Sequence, residues 1–133
     1  MPTIHLKLIT PEKIVFEDDI DAVYAKGIKG SFGILANHIP FMTTLAIDTA
    51  KIVKDGEEIT FTIMGGALQF KNNEAIILTE ASEKGDDIDM ARAKLAKERA
   101  EAALGNAETQ KDIKKANAAL ARAMARLKAA NRG

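Results

Sequence analysis

The sequence predicts a β + α chain in which an antiparallel β domain precedes an antiparallel hairpin of two helices. All six aromatic residues lie before residue 71, in a segment rich in the Ile, Val and Thr that suit a half-buried sheet. Residues 88–131 contain 15 alanines and neither Pro nor an aromatic residue, a composition that favours helix. The charge changes at the same place. Residues 1–87 carry 14 acidic residues and eight lysines, whereas residues 88–133 carry a net charge of +6 and all five arginines.

Strands in residues 1–84 are indicated by alternating apolar and polar residues, which place one side of a strand against a core. The alternation is clear over residues 4–8, 20–24 and 59–63. Asp55-Gly56 can adopt the positive φ angles of a two-residue hairpin turn, and Asn72-Asn73 can do so less easily. Short strands separated by such turns predict a sandwich or a barrel.

The segment Lys84-Gly85-Asp86-Asp87 marks the change to residues 85–133, the helical hairpin. Asp86 or Asp87 can serve as N-cap of a first helix that runs to about residue 104. Gly105-Asn106 predicts a helix break, because this pair tolerates left-handed geometry, and a second helix is expected over residues 109–130. A short connection makes the two helices antiparallel neighbours.

Apolar stripes on both helices are thin, so the hairpin buries little surface and is marginal by itself. We therefore expect it to lean on the β domain, a partner or a ligand, and to exchange one for another. The stripe residues are Ile88, Ala91, Leu95 and Ala102 on the first helix and Ile113, Ala116, Leu120, Met124 and Leu127 on the second.

Several classes of site are excluded by composition. The chain has no cysteine and only two histidines, which argues against a metal centre. No activated nucleophile or acid–base pair can be assembled, and we expect His38 to be structural. The acidic residues at 17–21 suggest a solvated strand edge. No apolar run is long enough to cross a bilayer and no secretory signal is evident, so a soluble intracellular protein without membrane insertion is expected. Basic residues lack the stacking aromatics of a nucleic-acid reader.

Three segments resemble the epsilon subunit of bacterial F-type ATP synthases. Residues 30–40, GSFGILANHIP, are similar to that family's glycine-bounded loop ending in His-x-Pro. Met64-Gly65-Gly66, followed by Leu68 and Phe70, forms the second segment. The third lies within residues 87–93 and matches the Ile-Asp-x-x-Arg-Ala element of ATP-binding members. The resemblance extends over the whole chain, including domain order and the position of the helix break.

This resemblance implies a non-catalytic rotor subunit of a proton-translocating ATP synthase, peripheral to the cytoplasmic face of a bacterial cell membrane. Its N-terminal antiparallel β-sandwich of about ten strands would sit on the central stalk, against the gamma subunit and the c-ring. Its hairpin would be folded beside the sandwich or extended into the head of alpha and beta subunits. The subunit would couple rotation to ATP synthesis, and its extended hairpin would block ATP hydrolysis. The basic charge of the hairpin suits the acidic loop of the beta subunit.

The resemblance further implies that ATP is a regulatory ligand that favours the folded hairpin. Glu83 and Asp89 would hold the adenine end, and four arginines would face the phosphates. The alternative is that Asp89 and Arg92 form an ordinary surface pair three residues apart. The residues of the implied ATP site are Glu83, Ile88, Asp89, Arg92, Ala93, Arg99, Arg122 and Arg126.

Geometry separates these arginines into two groups. Arg92 and Arg99 lie at the edge of the first helix's stripe, whereas Arg122 and Arg126 point away from the stripe of the second helix. A common pocket therefore requires the side of the second helix that bears Ala119, Ala123 and Ala130 to pack inward. We expect Arg132 to be only part of a frayed terminus.

Three other functions stay open beside the rotor subunit. The runner-up is a free-standing ATP-sensing module whose hairpin closes on the nucleotide. A small enzyme and a nucleic-acid adaptor are disfavoured by the absences described above.

Overall fold

The computed structural model describes residues 2–131, and it consists of a β domain followed by two helices. The prediction for Arg132 therefore lies outside the described residues. The strands are β1 (Ile4–Ile9), β2 (Ile14–Ile20), β3 (Ala22–Gly27), β4 (Gly30–Leu35), β5 (Phe41–Lys54), β6 (Glu57–Lys71) and β7 (Glu74–Leu78). A 3₁₀ turn, Gly85–Asp87, leads to the helices α1 (Met90–Gly105) and α2 (Gln110–Ala130).

The two layers of the sandwich are formed by one sheet that folds over, with strand order β2-β1-β7-β6-β5-β3-β4. The long strands β5 and β6 belong to both layers. Their pairing is irregular between Leu45–Gly66 and Ile47–Met64, where Gly65 and Gly66 have φ values of 78° and 116°. The strands bend at this point without ending. Residues 2–131 therefore contain seven strands where the resemblance implied about ten.

One pair of strands departs from the predicted antiparallel pattern, because β1 lies parallel to β7. All other strand pairs in the described chain are antiparallel. Hairpin turns indicate only the pairing of strands that are consecutive in the sequence. The β1–β7 pair joins the beginning and the end of the domain, so no local signal could indicate its direction.

Both predicted hairpin turns are confirmed. Asp55 and Gly56 have φ values of 51° and 79°, and Asn72 and Asn73 have values of 53° and 60°. The strand predicted over residues 20–24 is divided by a bend at Asp21, so that Ile20 ends β2 and residues 22–24 begin β3. The core-facing phase changes at this bend, because Ile20 of β2 and then Val23 and Ala25 of β3 belong to the core, whereas Tyr24 is 43% exposed.

The core lies between the two layers. Phe16 of β2 contacts Phe61 of β6 edge-on, with ring centroids 5.5 Å apart, although these strands are not neighbours in the sheet. Full burial of one such aliphatic or aromatic side chain contributes about 1.5–3 kcal/mol. The largest fully buried apolar side chains are Phe70, Ile4, Leu6, Leu8, Ile20, Ile34, Ile52, Ile63, Leu68, Ile77 and Val23.

The ends of the helices were predicted only in part. Thr109 caps α2 by accepting a hydrogen bond from the Asp112 amide at 3.1 Å. The N-cap of α1 is Asp89 and not Asp86 or Asp87, because those two residues are held in the preceding 3₁₀ turn. The break after Gly105 falls where it was predicted, but its geometry is not left-handed, since Asn106 has φ −100° and ψ 0°.

The predicted apolar stripes are wrong for four of their nine members, which are exposed, whereas Ile88, Ile113, Leu120 and Leu127 are partly buried. Leu95 and Met124 remain 45% and 51% exposed, and of the nine predicted residues only Ala116 is classed as buried. The small alanines allow the helix axes to approach closely, so alanines form the centre of the seam. The buried residues of the two helices are Ala93 and Ala100 on α1 and Ala116, Ala123, Ala125 and Ala129 on α2.

These alanines place α2 between α1 and the sandwich. Ala116 and Ala123 are seven residues apart on one side of α2, and Ala125 and Ala129 lie on the opposite side. α2 packs on α1, β5 and β6, whereas α1 packs mainly on α2. The hairpin is thus folded against the sandwich, with α2 as its inner helix.

Replacing Ala123 by Leu is expected to force α1 and α2 apart, because Ala123 is 1% exposed in the seam. Overpacking of this kind costs about 1–3 kcal/mol, and urea unfolding followed by helical circular dichroism measures it. Ala102→Leu is the matched control, since Ala102 is exposed on α1 and Leu has similar helix propensity. Equal stability of the two variants would contradict the alanine seam.

Candidate functional site

A cavity of about 680 Å³ lies where the interdomain segment, α1 and α2 meet. Its volume is in the range of about 300–1,000 Å³ that is usual for small-molecule sites. The structure places seven of the eight implied ATP-site residues in its wall, and Arg122 is the exception. The lining residues are Ala81, Glu83, Asp87, Ile88, Asp89, Arg92, Ala93, Leu95, Ala96, Arg99 and Arg126.

Three guanidinium groups line the cavity, together with the carboxylates of Glu83, Asp87 and Asp89. Arg92 and Arg99 are exposed on α1, and neither pairs with a carboxylate of residues 2–131. Arg126 of α2 behaves differently, since its Nε donates to Glu83 Oε1 at 2.8 Å. Two of the three cations are thus available to a ligand, and the third already joins α2 to the interdomain segment.

Asp89 has a structural role that differs from the surface pair considered as the alternative. Its Oδ1 accepts a hydrogen bond from the backbone N–H of Arg92 at 3.1 Å, which caps the first turn of α1. No ion pair between the Asp89 carboxylate and the Arg92 guanidinium occurs in the structure. The cap orients the first turn of α1 and leaves the Arg92 side chain unrestrained.

Apolar side chains line the cavity beside the charged groups, and sequence reasoning identified only part of them. Ile88 and Ala93 belong to the implied site, whereas Ala81, Leu95 and Ala96 were not recognised. Leu95 lies three residues after Arg92 and four before Arg99, so all three share one face of α1. That spacing was the available signal, but it was assigned to the helix seam.

The side of α2 with Ala119, Ala123 and Ala130 does pack inward, as a common pocket requires. Ala123 is buried, and Ala119 and Ala130 are partly buried. This orientation brings Arg126 to the cavity but leaves Arg122, one turn earlier, outside its lining. The implied role of Arg122 therefore stays a prediction.

A second charged contact holds the last turns of α2 to the sandwich. Lys128 Nζ donates to Asp48 Oδ1 at 2.7 Å, and Lys26 lies 3.7 Å from the same carboxylate. Burial by itself raises the pKa of Asp48. The hydrogen bonds from Lys128 and the Thr49 amide, together with the nearby ammonium charges, outweigh burial and lower that pKa below its usual value. Asp48 is therefore ionised where it supports α2.

The two histidines lie away from this cavity. His38 Nδ1 is 2.7 Å from the Ile39 carbonyl, and its ring meets the edges of Phe41 and Phe70. His5 bridges Glu17 and Asp19 of β2, at 2.7 and 2.8 Å. Hydrogen bonds with these two carboxylates raise the pKa of His5. β2 is an edge strand, as its acidic sequence suggested, but its carboxylates are paired as well as solvated.

Residues 2–131 contain no group of three His, Cys, Asp or Glu side chains arranged to hold a metal ion. Among the same residues, no helix combines the length and the apolar character that a membrane span needs.

Comparison with known proteins gives matches to two family models. Residues 3–85 match the ATP synthase delta/epsilon chain, beta-sandwich domain, and residues 86–131 match its long alpha-helix domain. The ATP synthase epsilon chain of Desulforamulus reducens is 39% identical over 96% of this chain and 97% of its own length. That of Halalkalibacterium halodurans is 38% identical over 99% of this chain and 100% of its own length.

Two solved structures share the fold at low sequence identity. One is a chain of the Euglena gracilis mitochondrial ATP synthase, in a complex described as OSCP/F1/c-ring, with TM-score 0.84, 20% identity and coverage of 93% and 79%. The other belongs to the central stalk and c-ring of the Tetrahymena thermophila mitochondrial ATP synthase. It has TM-score 0.65, 18% identity and coverage of 96% of both chains.

Acid should weaken the attachment of α2 through Asp48. Because its folded pKa lies below the usual value of about 3.9, this contribution to stability is intact above that value and is lost as the pH falls through the lower folded pKa. Urea unfolding at pH 6 and pH 3 should show a smaller acid loss for Asp48→Asn than for the native chain. The difference should be a few tenths to about 1 kcal/mol, because Lys128 is exposed. Glu101→Gln, at an exposed position of α1, is the control. Identical acid losses in all three proteins would refute this role for Asp48.

Proposed function

The chain belongs to the ATP synthase delta/epsilon chain family and is an epsilon subunit, and from this premise we propose that it regulates ATP hydrolysis through its hairpin. Family members of this name are non-catalytic subunits of the synthase. The proposed action is mechanical and electrostatic. The sandwich stays on the central stalk, against the gamma subunit and the c-ring, and transmits rotation. The hairpin changes posture between the sandwich and the head of alpha and beta subunits.

ATP is the ligand we propose for the cavity beside α1. The observation that supports it most directly is the pair of unpaired guanidinium groups, Arg92 and Arg99, on one face of α1. They are seven residues apart, or about 10 Å along a helix, so together they suit an extended polyphosphate. Ile88 and Leu95 offer an apolar surface to a base, and the Glu83 carboxylate can accept a hydrogen bond from an amino group.

Binding in this cavity would favour the folded hairpin by mass action. The cavity wall combines the interdomain segment, α1 and Arg126 of α2, so it is complete only while these parts are together. A ligand that binds one posture stabilises it by about 2.7 kcal/mol at a concentration 100 times its dissociation constant. That amount is comparable to the energy of a few contacts between α2 and the sandwich.

The extended posture has support in charge and packing. Residues 88–133 carry a net charge of +6, and the seam of alanines buries little area. The ion pairs Arg126–Glu83 and Lys128–Asp48 can be exchanged for contacts with an acidic surface of the catalytic head. We propose that surface to be the acidic loop of the beta subunit. The synthase would hold the chain at the cytoplasmic face of a bacterial membrane as a peripheral component.

ATP titration of the purified chain tests the site, since the cavity is formed by one chain. Arg92→Ala and Arg99→Ala should each weaken binding about 10- to 100-fold, the usual value of a charge-assisted hydrogen bond. Isothermal titration calorimetry measures the change. Lys94→Ala is the control, because Lys94 is an exposed cation on α1 that does not line the cavity.

Two further variants sharpen this titration. Asp89→Asn removes the carboxylate charge but keeps an effective N-cap, so any loss of ATP affinity reports on the ligand and not on the helix. Arg122→Ala tests the one implied residue that lies outside the cavity wall. Binding that is unchanged by all of the Arg92, Arg99 and Asp89 variants would exclude the proposed site.

Removal of residues 85–133 from the assembled synthase tests the regulatory role. We expect ATP hydrolysis by the complex to rise, because the segment that would enter the head is gone. A synthase carrying the full-length native subunit is the control. Retention of the truncated subunit by the complex must be verified by gel filtration. Unchanged hydrolysis with the subunit retained would rule out inhibition by the hairpin.

A further inference from the structure

The segment that joins the sandwich to the hairpin passes the end of α2 with no space for a side chain at Gly85. A Cβ atom at Gly85 would lie 2.3 Å from the Ala129 carbonyl oxygen and 3.0 Å from the Ala129 carbonyl carbon. The Thr60 carbonyl oxygen, at 3.5 Å, lies close as well. These are backbone atoms, which cannot rotate away as a flexible side chain would.

The conformation of Gly85 does not itself require glycine. Its φ lies outside the left-handed region, unlike that of Gly56, Gly65 or Gly66. Alanine at a compatible backbone position normally stabilises a protein, because it restricts the unfolded chain. The contact with Ala129 therefore opposes the usual stabilising effect of a Gly→Ala substitution. A loss of stability in Gly85→Ala would indicate the contact with Ala129, and a gain would indicate the effect on the unfolded chain.

The interdomain segment is fixed to the sandwich immediately before this contact. The Thr62 amide donates to the Glu83 carbonyl at 2.9 Å, and the Glu83 amide donates to Thr62 Oγ1 at 2.9 Å. Lys84 also forms an isolated bridge with Phe61. Since this side of the contact is held by β6, an added side chain must displace the last turn of α2.

We propose that Gly85 is a positioning residue that allows the last turn of α2 to pack on the sandwich. The folded hairpin then depends on the absence of a side chain at position 85. Displacement of this turn also disturbs both charged contacts of α2. Lys128, which binds Asp48, precedes Ala129, and Arg126, which binds Glu83, lies three residues before it. A single methyl group at position 85 therefore disturbs three contacts of the end of α2, namely the close approach of Ala129 and the two ion pairs of Lys128 and Arg126.

This inference rests on the fold and does not require that ATP binds. The turn that begins at Gly85 also carries Asp87 and Ile88, which line the cavity. The Ile88 amide donates to the Gly85 carbonyl at 3.2 Å. The experiment is therefore made without nucleotide, and a failure of ATP binding leaves its outcome unaffected.

Hairpin posture can be measured in the full-length chain by distance between two spin labels. The protein has no cysteine, so Gln69→Cys on β6 and Glu101→Cys on α1 provide unique labels at exposed positions. Gly85→Ala should shift the label distances to longer values. It should also lower amide-exchange protection over residues 123–131 by about tenfold or more, as expected for overpacking.

Gly105→Ala is the matched control, because a Cβ atom there meets no atom within 4 Å. It should keep the native distances and protection. Exchange of the β1 amides confirms that the sandwich stays folded in each variant. Native distances and protection in Gly85→Ala would overturn the proposal.

A second test uses a chain that lacks residues 129–133, because this deletion removes the Ala129 atoms that Gly85 approaches. The test also applies if Gly85→Ala unfolds the full chain. In this shortened background Gly85→Ala should be neutral or slightly stabilising towards urea. If the substitution stays as destabilising there as in the full chain, it acts through the interdomain segment itself, and the positioning role of Gly85 is wrong.

Discussion

The close approach of α2 to its neighbours on two sides is the constraint on which the rest of the hairpin depends. Alanines on opposite faces of α2 allow the sandwich to contact one face and α1 the other. α1 has little contact with the sandwich except through α2, so any movement of α2 also moves α1. The cavity depends on the same constraint, because Arg126 reaches Glu83 only when α2 lies in this position.

Packing of this kind combines tight steric fit with small buried area. Alanine side chains bury little apolar surface, and each contributes correspondingly little free energy. The fit at Gly85 and the two ion pairs of α2 then become a large fraction of what holds the hairpin down. A hairpin attached in this way can be released by a modest competing interaction, which is the property that the proposed regulation needs. The sandwich, with its continuous apolar core, has no such weakness.

Features that depend on residues close in the sequence were predicted better than features that depend on packing between distant residues. The turns at Asp55-Gly56 and Asn72-Asn73, and the start of α2 near residue 109, are decided by nearby residues and were predicted. The N-cap of α1 was misplaced because three aspartates within four residues are equally suitable caps, and only the 3₁₀ turn selects Asp89. The helix stripes failed for a different reason. Leu and Met were assumed to occupy the seam, but alanines form its centre, and Leu95 and Met124 stay exposed.

The sequence by itself determined the change from strands to helices near residue 85, the charge on each side of it and, through one short motif, four of the eleven cavity-lining residues. These properties depend on composition and on neighbours in the chain. Only the tertiary structure decided which faces of α1 and α2 are buried, that Arg126 and not Arg122 lines the cavity, and that β1 runs parallel to β7. It also decided that Gly85 is required by a contact 44 residues further along the chain, at Ala129. Such contacts join residues whose proximity is created by packing, and no local pattern in the sequence encodes them.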